Sequence, residues 1–256
     1  MKAHLTAGLI ALACLTSTAA HAEIRFGVSN EAYPPFYTKD ASGKWAGWEI
    51  DLLHALCDEM KEKCTIVDMT WDGLIPGLKA NKIDVIWSSM SINDERKKVI
   101  AFTDKYYNTP TEIVGLKDEP HTVTKDDLKD KIIGTYVSSI QSAYFKKHYS
   151  DVAAEKNYPT LDESLQDLVS GRVDYVIADS IPLAAFLKSS TGKECCESKG
   201  QVPDDAEILG TRIGGGLRKS DTALTEKLNK AIAAVRANGK YKEISAKYFS
   251  FDPYGN

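Results

Sequence analysis

Two short segments of this chain share one frame at a distance of 90 positions, and that constrains the fold more than anything else in it. Leu78 to Asp84 reads LKANKID and Leu168 to Asp174 reads LVSGRVD. Each closes a helical pattern on a leucine, turns tightly on Asn81 or Gly171, and passes through a base and a β-branched residue to an aspartate that opens an apolar strand. L-x-x-G-R-x-D is also an ordinary helix-to-strand turn. A period this long, met twice, is not a solenoid. It reads as two similarly built α/β lobes. The first strand, around Val85 to Trp87, runs into the hydroxyls Ser88, Ser89 and Ser91, and the second, around Tyr175 to Ala178, ends in Asp179 and Ser180. Open α/β sheets take ligands outside the carboxyl ends of their strands, so two such ends facing one another make a cleft.

What precedes the first strand is an address. Residues 1–22 carry Lys2, the apolar run Leu5 to Leu15 and an Ala20-His21-Ala22 exit, with no acid before Glu23. That is the pattern of a cleavable secretory signal. Cys14 raises the alternative of a lipoprotein, but the residues before it, Ala11-Leu12-Ala13, set leucine one place from where lipidation wants it. No later stretch holds the roughly 20 apolar residues of a spanning helix, so the exported chain is expected to be soluble. Of the 32 basic residues only Lys2 lies in the signal, leaving 31 against 36 acids and a net charge of −5. That balance offers no footprint for nucleic acid or an anionic membrane. The 234 residues left after the first 22 of 256 favour two compact units over one.

Along the chain, Ile24 to Ser29 reads as a strand, followed by NEAYPPFY, where two prolines hold Tyr33 and Phe36 on a stiff turn. SGKWAG reads as a hairpin-like turn before the helix WEIDLLHALCDEM, and CTIVDM as the next strand. TWDGLIPGLKANK then enters a helix with Asp72 as a plausible cap and Trp71 just ahead of it. Tyr33 and Trp71 are either packing or flat walls for a ligand. Arg96 follows the Ser88–Ser91 cluster inside a charged helix start, and its guanidinium fork fits a carboxylate with two parallel hydrogen bonds. Further on, Ser138 and Ser139, with Gln141 behind them, cap a helix whose free N–H groups and dipole suit an anion. Gly214-Gly215-Gly216 lacks the spacing and lysine of a phosphate loop and reads as close backbone packing. Thr222 to Phe249 reads as a helix pair broken at Gly239.

Four cysteines remain after the signal, an even number in a compartment that permits disulfides. Cys57, late in a helix, and Cys64, opening the next strand, are expected to pair across a tight turn. For the adjacent Cys195 and Cys196 a vicinal bridge is strained, and without nearby histidines the pair makes a poor zinc site. KECCESKG is therefore expected to be a surface loop with free or reducible thiols. No metal or other cofactor is expected.

From Ile24 to Tyr254 the chain resembles the family 3 solute-binding proteins of bacterial amino-acid ABC importers. The matching stretches are AYPPF, GWEIDL, WDGLIPGLKANKID, SSMSINDERKKVIAFTDKYY, GRVDYVIAD, GLRKSDTAL and NGKYKEISAKYF ending FDPYG. The resemblance is nearest to lysine/arginine/ornithine, histidine and opine binders, including the Cys57–Cys64 spacing. It implies a type II periplasmic binding protein of α/β class, two lobes of mostly parallel sheet flanked by helices and joined by two hinge strands. Lobe one would be 23–108 with 213–256, and lobe two 109–212. It also implies a periplasmic monomer that closes on a free L-amino acid and docks on a membrane permease. Carried over by position, Arg96 takes the α-carboxylate, with Ser89, Ser91 and Ser139 adding hydroxyl or backbone donors. Asp179 takes the α-ammonium. Tyr33 and Trp71 stack on the ligand's side chain, a geometry that favours a cation. The chain departs from its basic-ligand relatives at one place, where Asn30 stands at the position of an acid and Glu31 follows.

Two other functions compete with transport. An enzyme on the same fold, such as a dehydratase, needs an acid or base poised at its substrate. Of the histidines, His54 lies in a predicted helix, and His121 and His148 have no partner evident in sequence. A ligand-sensing receptor subunit is the third reading, although it usually carries a fused membrane segment.

Overall fold

The computed structural model describes residues 23–120, 124–210 and 212–255. The signal peptide expected at 1–22, Cys14 and His121 lie outside them. Strand β1 (Ile24–Ser29) buries Phe26 and Val28 completely and leads through Tyr33 and Phe36 to the hairpin β2 (Thr38–Lys39) and β3 (Trp45–Ala46). Gly47 then opens α1 (Trp48–Met60) at a φ of 127°, with the Phe36 carbonyl oxygen 2.3 Å from where a Cβ would stand, so that only glycine fits. Strand β4 (Cys64–Met69) follows, and the Cys57 and Cys64 sulfurs are bonded as expected, 6.3 Å apart at Cα. A 3-10 turn over Trp71–Gly73 leads into α2 (Leu74–Lys79). Asp72 is inside that turn and caps nothing, because the helix starts two residues later behind Gly73. Strand β5 (Val85–Ile86), α3 (Asp94–Val99) and β6 (Ala101–Phe102) complete this stretch.

The middle of the chain repeats the plan. It runs β7 (Thr111–Leu116), β8 (Ile132–Tyr136), α4 (Ile140–His148), β9 (Ala154–Tyr158), α5 (Leu161–Val169), β10 (Tyr175–Asp179), α6 (Ser180–Lys188), α7 (Ser190–Cys195) and β11 (Cys196–Gln201). The chain returns through β12 (Gly216–Leu217) to α8 (Thr222–Ala237) and α9 (Lys240–Ser245), which are separated at Gly239.

Apart from the β2-β3 hairpin, these strands form two five-stranded sheets, in the orders β4-β1-β5-β12-β6 and β9-β8-β10-β7-β11. In the first, β4, β1, β5 and β6 run one way and β12 opposes them; in the second, β9, β8, β10 and β11 run one way and β7 opposes them. The two sheets are thus copies in topology. The recurring segments occupy equivalent places, α2 into the central β5 and α5 into the central β10. Two crossover segments link the sheets side by side: Tyr106 N–H donates to Ile213 O at 3.0 Å and Ile213 N–H to Tyr107 O at 3.0 Å. Gly215 passes 3.2 Å from the Trp87 ring at its would-be Cβ, the close packing expected of the triple glycine.

One expectation fails in part. Residues 193–200 are not a loop: Cys195 ends α7, Cys196 begins β11, and their sulfurs are bonded to each other, the reducible form of the two expected states. The reason is tertiary. β7 presents an edge that captures 196–201 as an antiparallel partner, Cys196 opposite Leu116, and buries Cys196 to 3% exposure.

Candidate functional site

Both central strands point their carboxyl ends into one cleft between the sheets. On the first, Ser88 Oγ accepts the Ser29 N–H at 3.0 Å, tying the end of β5 to the end of β1. Ser89 stands in the left-handed region at φ 53°, a conformation costing a non-glycine residue about 1–2 kcal/mol. It is held there by Glu49, which α1 buries completely beneath it. Ser89 gives its N–H to Glu49 Oε1 and its O–H to Glu49 Oε2, both at 2.8 Å. Tyr106 O–H also donates to Oε1, and Trp87 Nε1–H donates to the Glu49 backbone oxygen at 2.9 Å. Burial pushes the Glu49 carboxyl up to about 7 against the pull of these donors. Both Ser89 donors thus go to Glu49.

Arg96 lies on α3, whose N-cap is the Asn93 side chain. Its guanidinium donates to Ser91 O at 3.0 Å and stands 5.4 Å over the Trp71 ring. Burial draws its pKa down to about 10, opposed by the negative charge of Asp179, so it is cationic at neutral pH. Across the cleft, the exposed Ser138 carbonyl receives Trp71 Nε1–H at 3.3 Å and a longer contact of 3.5 Å from Arg96. Ser139 caps α4 by accepting the Ser142 N–H at 3.0 Å, which leaves its own proton to give.

Asp179 ends β10, 3% exposed, with Oδ2 accepting Tyr33 O–H at 2.6 Å from the opposite sheet and Oδ1 accepting Gln141 Nε2–H at 2.9 Å. No cation among the described residues pairs with it directly. Burial raises its carboxyl to about 6, opposed by Tyr33, the Arg96 charge and Gln141. A buried, hydrogen-bonded anion and a cation offered from opposite lobes match the two poles of a zwitterion.

Beyond Tyr33 lies a small cavity of about 30 Å³, walled by Tyr33, Tyr37, Trp71, Tyr136 and Leu161 and floored by Ser29, Ser88 and Ser89. Its acid is Glu31. Burial and the neighbouring charges of Asp72 and Glu163 raise the Glu31 carboxyl, while the Trp71 backbone N–H lowers it. Asn30 is exposed, gives its backbone N–H to Met69 O at 2.7 Å, and does not line the cavity. Sequence reasoning missed Glu49, Tyr136, Tyr37 and Leu161. Tyr136 could have been found, because it ends β8 two residues before the Ser138–Ser139 turn. Nothing in the pattern of α1 marks Glu49 as inward-facing.

Two duplicated α/β sheets joined by paired crossovers, with complementary charges in the cleft, define a two-lobe solute-binding protein of the type II periplasmic class. The chain is 44% identical to an L-arginine-binding protein of Pseudomonas aeruginosa over the full length of both. It is 39% identical to the lysine/arginine/ornithine-binding periplasmic protein of Escherichia coli, covering 91% of this chain and 90% of that one. Among solved structures, an ancestral arginine-binding protein bound to arginine superposes with a TM-score of 0.80 at 33% identity, over 89% of this chain and 98% of the other. The chain belongs to the bacterial extracellular solute-binding proteins, family 3, whose family model matches residues 24–251.

Proposed function

We propose that this protein is a periplasmic receptor that closes on a basic L-amino acid, arginine foremost, and delivers it to an ABC importer. The observation that carries the reading is the placement of Asp179 and Arg96 on opposite lobes of one cleft, beside an aromatic cavity whose acid is Glu31. The α-ammonium meets Asp179 and the α-carboxylate meets Arg96 and Ser139. The two poles are held together only when the lobes are shut, which gives the closed state its differential affinity. The side chain runs along Tyr33, Trp71 and Tyr136 to Glu31, and their π-faces suit a guanidinium. Lysine, ornithine, histidine and opines are the lesser candidates. The lobes are taken as 23–108 with 213–256, and 109–212. The relatives named above are binding proteins, and the receptor is read as a monomer that performs no chemistry on its ligand. Among the described histidines, His54 is exposed on α1 and His148 Nε2 is engaged by Asp205 at 2.7 Å.

Calorimetry with arginine, lysine, histidine and glutamine tests this. Arginine should bind tightest. Glu31→Gln should weaken arginine by about 1.5–3 kcal/mol, the worth of a hydrogen bond to a charged group, and leave glutamine unchanged. Tighter binding of glutamine by the wild-type chain, or equal losses for both ligands, overturns the basic preference.

Binding should also release protons. The ligand's ammonium favours ionised Asp179, so at pH 6, near its raised pKa of about 6, part of the population must lose a proton on binding. Affinity rises with pH through that window. Titrations at pH 6 in buffers of different ionisation enthalpy should show net proton release, and proton uptake would contradict the pairing. The stability sign is the reverse of the usual carboxylate. Asp179 rises from 3.8 to about 6 and Glu49 from 4.5 to about 7 on folding, so their contribution is fully present below pH 4 and is lost as the pH climbs through 6 and 7.

A further inference from the structure

Arg96 is held at two points, and both lie on one short segment. Its guanidinium donates to Ser91 O at 3.0 Å, and its backbone N–H donates to Asn93 Oδ1 at 2.9 Å, the bond that starts α3. Residues 91–93 are in turn stitched to the chain as it returns from the second sheet. Ile92 N–H donates to Arg212 O at 2.8 Å, Ser91 forms a β-bridge with Ile213, and Gly214 N–H donates to Met90 O at 3.2 Å. The other end of the Asn93 amide completes the attachment, with Nδ2–H donating to Ile208 O at 2.8 Å, 115 positions away. Arg96 N–H can only donate and Ile208 O only accept, which fixes the orientation of the amide. A helix cap needs only a side-chain oxygen, and serine or threonine supplies that as well. Asn93 is 7% exposed, and its amide nitrogen is surplus to capping.

The point it grips is itself fixed. Residues 206–209 form a turn in which Ile208 N–H donates to Asp205 O at 3.1 Å. Asp205 is clasped by α4, with Oδ2 2.9 Å from Lys147 Nζ and 2.7 Å from His148 Nε2. Lys147 first and His148 second hold the Asp205 carboxyl down to about 2, so this anchor is ionised at neutral pH. Gly210 ends the turn at φ 66°, where a Cβ would stand 2.2 Å from Ile92 O, so only glycine lets the two backbones meet. A polar path therefore runs outside the cleft from the far end of α4 through Asp205, Ile208 and Asn93 to Arg96.

We infer that Asn93 is a positioning residue for carboxylate recognition: its amide oxygen starts the helix at Arg96 while its amide nitrogen pins that start to the Ile208 carbonyl, so that the guanidinium fork is oriented in advance of the ligand. The inference rests on the receptor reading above, in which Arg96 takes the α-carboxylate. Asn93 has no contact with the ligand and acts only through Arg96.

Asn93→Ser separates the two duties. Serine keeps a cap oxygen and is too short to reach Ile208 O. Asn93 and Ile208 both line an open groove between α3 and α4, so water can reach the freed carbonyl and the chain should still fold. Calorimetry compares arginine with agmatine, which lacks the carboxylate. Arginine affinity should fall by about 3- to 10-fold, the worth of one neutral hydrogen bond, with agmatine little changed. A merely structural loss weakens both ligands together. Combination with Arg96→Ala gives a second readout: once the guanidinium is gone, Asn93→Ser should cost arginine nothing more. Asn93→Thr, whose β-branch suits the extended backbone at this cap (φ −131°, ψ 169°), repeats the measurement should the serine variant fold poorly. An unchanged arginine-to-agmatine ratio in a cooperatively melting Asn93→Ser or Asn93→Thr, or an equal further loss in the Arg96→Ala background, overturns the inference while the receptor reading stands. Failure of the wild-type chain to bind arginine or any other amino acid overturns that reading and this inference with it.

Discussion

Asp179→Asn is expected to lower affinity for the cognate amino acid by roughly 2–5 kcal/mol while leaving the ligand-free protein at least as stable as the wild type. The argument is electrostatic and local. Asp179 is 3% exposed and satisfied by Tyr33 O–H at 2.6 Å and Gln141 Nε2–H at 2.9 Å, neither of which carries a positive charge. Its carboxyl is pushed up to about 6, so ionising it in the ligand-free fold is unfavourable. An ammonium brought against it removes that cost, and the charge-assisted contact is about twice as strong as a neutral one. Asparagine keeps the volume and the acceptor for Tyr33 but has no charge to match. Calorimetry should show the loss for arginine, and thermal melting without ligand should show no decrease in Tm. Near-wild-type arginine affinity in a folded variant would remove Asp179 from the ammonium pole.

Arg96→Ala is expected to cost a similar ~2–5 kcal/mol, but selectively for ligands that carry an α-carboxylate. The guanidinium is held by Ser91 O at 3.0 Å and by the Trp71 face at 5.4 Å, so it is oriented before a ligand arrives. A preorganised planar fork gives up little rotamer freedom on binding a carboxylate, which is the reason lysine at this position is not expected to replace it. Agmatine, which is arginine without its carboxylate, supplies the control. Its weaker binding should change little between wild type and variant, whereas arginine should fall towards it. Equal losses for the two ligands would show that Arg96 supports the cleft through Trp71 and Ser138 rather than reading the carboxylate.

The expected two-lobe plan came from particular residues. The leucine-to-aspartate frame at Leu78 and Leu168 marks the helix-to-strand passages that became α2-β5 and α5-β10, the equivalent central strands of the two sheets. That frame was legible because helix closure, a turn residue and an apolar strand are all local, each set by neighbours a few positions away. Strand ends rich in small polar groups were legible for the same reason. The structure brings Tyr33, Trp71, Arg96, Ser138 and Asp179 to one cleft across separations of up to 146 positions, which no local pattern encodes.

What the sequence by itself determined is the two helix-to-strand passages, their duplication, the chemical types available at each strand end and the expected pairing of Cys57 with Cys64. What only the tertiary structure decided is direction and capture. Asn30 and Glu31 are adjacent, and the pleat of β1 with the turn after it put Asn30 in solvent and Glu31 on the cavity wall. An open edge on β7 drew Cys196 into a strand, and with it came a bond between the neighbouring cysteines. Glu49, 40 positions away from Ser89, accepts that serine's N–H and O–H, a pairing that no local pattern encodes. A residue's type fixes what hydrogen bonds it is able to make. Which of them it makes depends on the groups that folding packs against it, and here those groups come from distant parts of the chain.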